Sequence, residues 1–138
     1  METFAINLKK IIKERELKYT HLAKKAGYNN QTISHIANGL KEPRLITMQC
    51  ISETIGCSLD GLSEHIGARY YSEEKTVGYR LKELRFKKRI TSTELSKRTG
   101  VPASSIINFE NGKNDIKFKS ILLIAKELDF SLDWLCGR

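Results

Sequence analysis

The chain has 138 residues, a formal net charge of +8, 40% hydrophobic residues and 29% charged residues. This composition suits a folded globular protein and excludes a disordered tail or a collagen-like fibre, and no apolar run reaches the ~18 residues that a membrane span requires. The length accommodates one domain or two small ones, each near the lower limit for folding alone.

In chain order, the opening METFAINLKK places apolar residues ahead of its lysines and has no long apolar stretch, so a secretory leader is not expected and a cytoplasmic protein is. Leu8, Ile11 and Ile12 recur at the three- and four-residue spacing of an amphipathic helix. Short apolar-patterned segments follow at 19–26, 30–37, 44–55 and 58–64, with breaks at Gly27, Asn38-Gly39 and Pro43. Glycine or asparagine after a helix supplies a left-handed C-terminal cap at low steric cost. Ser58 stands as an N-cap before the last segment. The mostly polar stretch GARYYSEEK, 67–75, interrupts the pattern and is expected to be a short linker whose two tyrosines pack on one neighbour or the other. Val77, Leu81 and Leu84 restart the helical period, and segments at 92–99, 103–110, 117–128 and 131–136 follow, broken at Gly100 and Asn111-Gly112. Pro102 opens a helix at low cost because its missing N–H would be unpaired there. Ser131 repeats the capping role of Ser58.

The second series repeats the first. Sliding the chain by 73 residues lays LAKKAGYNNQTISHIANG (22–39) on LSKRTGVPASSIINFENG (95–112) and ISETIGCSLDGL (51–62) on IAKELDFSLDWL (124–135), without a gap. Two copies at so long a period are not a solenoid. The expectation is two similar domains, 1–66 and 76–138, joined by 67–75. Helices of about eight residues are marginal alone, so each domain is expected to be all-α, with five short helices sharing one core.

Enzyme chemistry finds no foothold. Cys50, Cys57 and Cys136 form an odd set with no C-x-x-C spacing, and reduced thiols are expected, two of them in the core. His21, His35 and His65 form neither H-x-x-x-H nor H-E-x-x-H, and no phosphate-cradling glycine motif occurs. No metal and no cofactor is expected.

Both copies resemble the lambda-repressor/Cro-like (XRE-type) helix-turn-helix family. The second is the clearer match, with its helix, Gly-Val, polar helix and Glu-Asn-Gly in LSKRTGVPASSIINFENG, and with the ending SLDWL. The resemblance implies two tandem five-helix DNA-binding domains, in each of which the third helix enters the major groove. It also implies a structural pair between Arg85 of the first helix and Glu110 of Glu-Asn-Gly. The matching residues of the first copy are Ile12 and Ala37, so both partners are absent together. That is physically coherent, because losing one partner of a buried pair strands a charge while an apolar replacement of both is tolerated.

Carried over position by position, the resemblance implies base contacts from Asn30, Gln31, Ser34 and His35, with Ile33 and Ile36 turned inward and Asn29 as the N-cap. Asparagine and glutamine suit adenine, whose N7 accepts from the amide N–H while its N6–H donates to the amide oxygen. Lys18, Tyr19, Lys41 and Arg44 are placed to reach phosphates. In the second copy the outward positions are Ala103, Ser104, Ile107 and Asn108. Ser104 and Asn108 are the base-contact candidates, and Ser92, Lys113 and Lys117 the phosphate candidates. Ala103 and Ile107 cannot hydrogen-bond a base. They suit a thymine methyl or, equally, a protein surface.

Charge is divided unevenly: net +2 over 1–66, zero over 67–75 and +6 over 76–138. A basic excess favours a polyanion through counterion release, without sequence preference. The expectation is a bacterial or phage regulator that binds double-stranded DNA and represses by occupying promoters. The first domain reads bases and the second supplies phosphate affinity. Trp134 and Leu135 offer a homodimer contact through the C-terminal domain. The rival reading is a protein-interaction module, an antitoxin or an inhibitor of a nuclease or toxin; such a module can at the same time repress its own operon.

Overall fold

A computed structural model of the chain describes residues 1–73 and 76–138. Its regular structure, among the described residues, consists of helices, and the chain divides into two compact units, Met1–His65 and Ile66–Arg138. No helix of the described residues is long and apolar enough to cross a membrane.

The first unit contains α1 (Thr3–Glu14), α2 (Tyr19–Ala26), α3 (Asn30–Ala37), α4 (Leu45–Ile55) and α5 (Leu59–Ser63). Each helix turns one apolar stripe into a shared core: Phe4, Leu8 and Ile12 from α1, Leu22 from α2, Ile33 and Ile36 from α3, Met48 and Ile51 from α4, and Leu59 and Leu62 from α5. The ends follow from local chemistry. Gly27 takes φ 81° and its N–H bonds the Ala23 carbonyl, closing α2. The Asn29 side chain accepts the Thr32 N–H at 2.8 Å, and the Ser58 hydroxyl accepts the Gly61 N–H at 2.9 Å. Two side chains tie α1 to distant carbonyls: Asn7 Nδ2 donates to Leu62 O and Arg15 donates to Ile55 O, both at 2.8 Å.

The second unit repeats this plan with α6 (Val77–Lys87), α7 (Ser92–Thr99), α8 (Ala103–Glu110), α9 (Phe118–Leu128) and α10 (Leu132–Leu135). Leu81, Leu84, Leu95, Ile106, Phe118, Ile121, Ile124, Phe130 and Leu132 form its core. Thr91 caps α7 through the Glu94 N–H at 3.1 Å, and Ser131 caps α10 through the Trp134 N–H at 3.0 Å. Pro102 stands at the N-cap of α8, one place ahead of the first helical position, and its carbonyl accepts the N–H groups of Ser105 and Ile106.

Arg85 and Glu110 meet inside this unit. Arg85 Nε donates to Glu110 Oε2 and Nη2 to Oε1, both at 2.8 Å, and Nη1 donates to the Ile90 carbonyl at 3.0 Å. Both side chains are buried. The fork-to-carboxylate geometry satisfies both oxygens at once, which a buried charge pair requires. The matching Ile12 and Ala37 of the first unit are buried as well.

The segment expected to link the copies lies, over residues 67–73, within the second unit. The Ala68 carbonyl accepts the Ser131 N–H at 2.8 Å, and the Tyr70 hydroxyl donates to the Asp129 carbonyl at 2.7 Å. The Trp134 indole N–H donates to the Tyr70 carbonyl at 2.6 Å, and the two rings meet edge to face with centroids 5.5 Å apart. Gly67 is needed there, because a Cβ would stand 2.1 Å from the Phe130 carbonyl oxygen. Glu74 and Lys75, the end of the expected linker, lie outside the described residues.

Two expectations need correction. None of the three cysteines is fully buried; all are half-buried and outside any disulfide, because the core of each unit is filled by larger aliphatic and aromatic side chains. Trp134 and Leu135 are buried at 7% and 1% exposure, spent within their own unit, so they offer no surface to a second copy.

Candidate nucleic-acid interface

The site is built on two helix pairs, α2 packed on α3 and α7 packed on α8. In the first pair, Ile33 and Ile36 are locked into the core, which fixes the rotation of α3 about its axis. Asn30 and Gln31 are thereby exposed, while Ser34 and His35 are half-buried on the same helix. Asn38 Nδ2 donates to the Ser34 carbonyl at 2.8 Å and lies 3.4 Å from its hydroxyl, which holds Ser34 in place. The Asn29 side chain also accepts the Thr32 hydroxyl at 2.9 Å, so Thr32 is occupied by the cap.

In the second pair, Ile106 and Phe109 are the inward anchors. Ser104 and Ile107 are exposed, and Ala103 and Asn108 are half-buried. The Asn108 carbonyl accepts the Lys113 N–H at 2.8 Å, which folds the basic loop back onto the end of α8. Glu110, the acidic residue of α8, is turned inside to Arg85 and puts no negative charge on the outward face.

A helix-turn-helix family model matches residues 8–62 and again residues 81–135. The chain belongs to this family, in two tandem copies of the lambda-repressor-like type. Neither a curated protein nor a solved structure matches it. The helix-turn-helix of the first copy is α2–α3 and that of the second is α7–α8. The family is one of DNA-binding regulators and not an enzyme family, so the chain is a DNA-binding helix-turn-helix regulator.

The phosphate candidates of this helix-turn-helix protein gather at helix starts. Lys18 is the N-cap of α2, Arg44 of α4 and Lys117 of α9, each exposed and none capping its helix with its side chain. Tyr19 and Ser92 are the first residues of α2 and α7 and are half-buried. Lys41 and Lys113 are exposed in the loops that follow α3 and α8. The packing of α2 on α3 holds Lys18 and Tyr19 in one motif with Asn30 and Gln31, and α7 on α8 does the same for Ser92 and Ser104.

Ser105 was not among the expected contacts, yet it is exposed on α8. Its first-copy counterpart, Thr32, is tied to Asn29, whereas Pro102 at the matching cap has no side-chain acceptor to hold a serine. The signal was in the sequence: asparagine stands opposite proline at the 73-residue offset.

Proposed function

We propose that this protein is a sequence-specific transcription regulator that represses by occupying promoter DNA. The α3 helix lies in the major groove, with Asn30, Gln31, Ser34 and His35 at base edges. Ser104 and Asn108 of α8 add contacts in the second copy. Lys18, Tyr19, Lys41, Arg44, Ser92, Lys113 and Lys117 hold the sugar-phosphate backbone. The reading rests above all on α3, where Asn30 and Gln31 are exposed on a helix whose opposite side is buried at Ile33 and Ile36. Asparagine and glutamine are the two side chains that bond adenine bidentately.

The helix starts support the backbone contacts. A cation at a helix N-terminus meets the positive end of the helix dipole, which disfavours it by a few tenths of a kcal/mol. Lys18, Arg44 and Lys117 all sit there. A phosphate at those N-termini is attracted both by the dipole and by the side chain.

The test is selection of bound duplexes from a random pool, followed by fluorescence anisotropy of the selected site at several salt concentrations. An enriched motif and a straight fall of log affinity with log salt are expected. Lys117→Ala should weaken all sequences alike and reduce the salt slope by about 1. Absence of any enriched motif sinks the reading. A stable complex with another protein in place of DNA binding would instead favour the interaction-module reading, for which exposed Ile107 is the supporting observation.

A further inference from the structure

We infer that α8 reads a thymine 5-methyl group through Ile107, so that the DNA site is directional, with two unlike arms. The inference rests on the base-reading role proposed for α3 and extends it to the second copy.

Ile107 is 42% exposed although α8 already has its core anchors in Ile106 and Phe109, at 0% and 5%. A single exposed isoleucine is ordinary in itself. This one lies three residues after Ser104 and four after Ala103, on the same helical stripe. At the matching positions α3 carries Asn30, Gln31 and Ser34. The fourth outward pair, His35 and Asn108, also differs. An asparagine and a glutamine in α3 stand opposite an alanine and a serine in α8, so the two faces offer the bases different contacts. The site of a single chain therefore has no dyad symmetry.

The surroundings say which occupant fits. Residues 76–138 carry net +6, and the acidic residue of α8 is sequestered against Arg85. Exposed Lys113 follows the helix directly. Along the same stripe Ile107 stands between exposed Ser104, three residues before it, and exposed Asn111, four after it. A protein-docking anchor is normally the centre of a wider apolar patch, whereas a narrow stripe of exposed Ile107 and half-buried Ala103 on a basic unit matches the major groove. There the thymine methyl is the distinctive apolar group, and phosphates flank it on both sides.

The experiment uses the full chain and its selected duplex. Each thymine is replaced in turn by deoxyuridine, which keeps the pairing and removes only the 5-methyl. Binding is read by anisotropy for the wild type, Ile107→Ser, Ile107→Val and Gln31→Ala. Loss of one buried methyl contact is worth roughly fourfold in affinity. We expect that loss at one or two thymines of the arm that Gln31→Ala leaves untouched. Ile107→Ser should abolish the thymine-over-deoxyuridine preference with unchanged salt slope and thermal midpoint, and Ile107→Val should retain it. Tolerance of deoxyuridine at every position, or a preference that survives in Ile107→Ser, overturns the inference while leaving base reading by α3 intact. So does a palindromic motif with both arms weakened by Gln31→Ala. Failure to enrich any sequence would remove the reading of α3 as well, which keeps the two failures apart.

Discussion

Where the first unit has Ile12 and Ala37, the second has Arg85 and Glu110, and where the first has Ala5, the second has Gly78. Both units close the same five-helix plan, so the comparison shows which features of the plan are interchangeable. A buried apolar pair and a buried, doubly hydrogen-bonded ion pair both fill the space between the first and third helices. Neither tolerates being split. Ala5 is accommodated at 1% exposure, but a Cβ on Gly78 would lie 2.2 Å from the Phe109 carbonyl oxygen, so α6 and α8 approach too closely there for a methyl group. On the outside the difference runs the other way: amide side chains in α3 are replaced by small and apolar ones in α8.

The largest expected effect comes from splitting the ion pair. Glu110→Ala leaves the Arg85 charge buried and uncompensated and should destabilise the second unit by about 3–5 kcal/mol. Trp134 is the single tryptophan and is buried in that unit, so its fluorescence during urea unfolding reports the second unit alone. Arg85→Ile with Glu110→Ala, which copies the first unit, should lose far less than Glu110→Ala. Equal losses would mean the two cores are not interchangeable in this way.

Next is the close approach. Gly78→Ala should cost roughly 1–3 kcal/mol by overpacking against Phe109. In the first unit, Ala5→Gly should cost only about 1 kcal/mol, the helix-propensity difference. Circular dichroism melts of the two variants check the asymmetry.

A comparable magnitude applies to recognition rather than stability. Gln31→Ala should reduce discrimination between selected and scrambled DNA by about 1–3 kcal/mol if its bidentate contact is lost. Ser104→Ala, its counterpart, should do less, since a single hydroxyl does not span two atoms of a base edge as an amide does. An equal loss of affinity on all sequences would contradict base reading by Gln31.

The smallest effect concerns pH. Glu83 is held below the usual carboxylate range, first by the hydrogen bond from Lys87, which outweighs the opposing effect of burial, and then to a lesser degree by the hydrogen bond from Ser72. A lowered folded-state pKa means stability that is present above the unfolded carboxylate value and lost as the pH falls through the folded one. Glu83→Gln should therefore lower the melting temperature slightly at neutral pH and leave it unchanged in acid. A drop of the same size at both pH values would show that charge plays no part. The same hydrogen bond joins Ser72, in the segment that precedes the second copy, to α6.

Much of the fold was legible because its signals are local. The segments expected at 19–26, 30–37, 92–99 and 103–110 coincide with α2, α3, α7 and α8. Each is bounded by a cap whose chemistry acts over three or four residues, and the apolar period identifies the inward face. The Arg85–Glu110 pair came from the resemblance to the family, with the joint absence of both partners in the first copy as its support. The outward positions of α3 and α8 were carried over from the resemblance, and the structure exposes Asn30, Gln31, Ser104 and Ile107 while leaving Ser34, His35, Ala103 and Asn108 half-buried. Ser105 was missed because its exposure depends on what its neighbour at the cap cannot do.

The sequence by itself determined the helices, their order and their duplication, because three- and four-residue spacing and capping are properties of neighbours along the chain. The tertiary structure alone decided that residues 66–73 fold along the second unit, that Trp134 is consumed by Tyr70 and Phe130, and that Gly67 and Gly78 lie where no side chain fits. Tyr70 and Trp134 are 64 residues apart, and the contacts that set such distances obey no local period. They arise from close packing, in which the room left for each atom is set by residues remote in sequence.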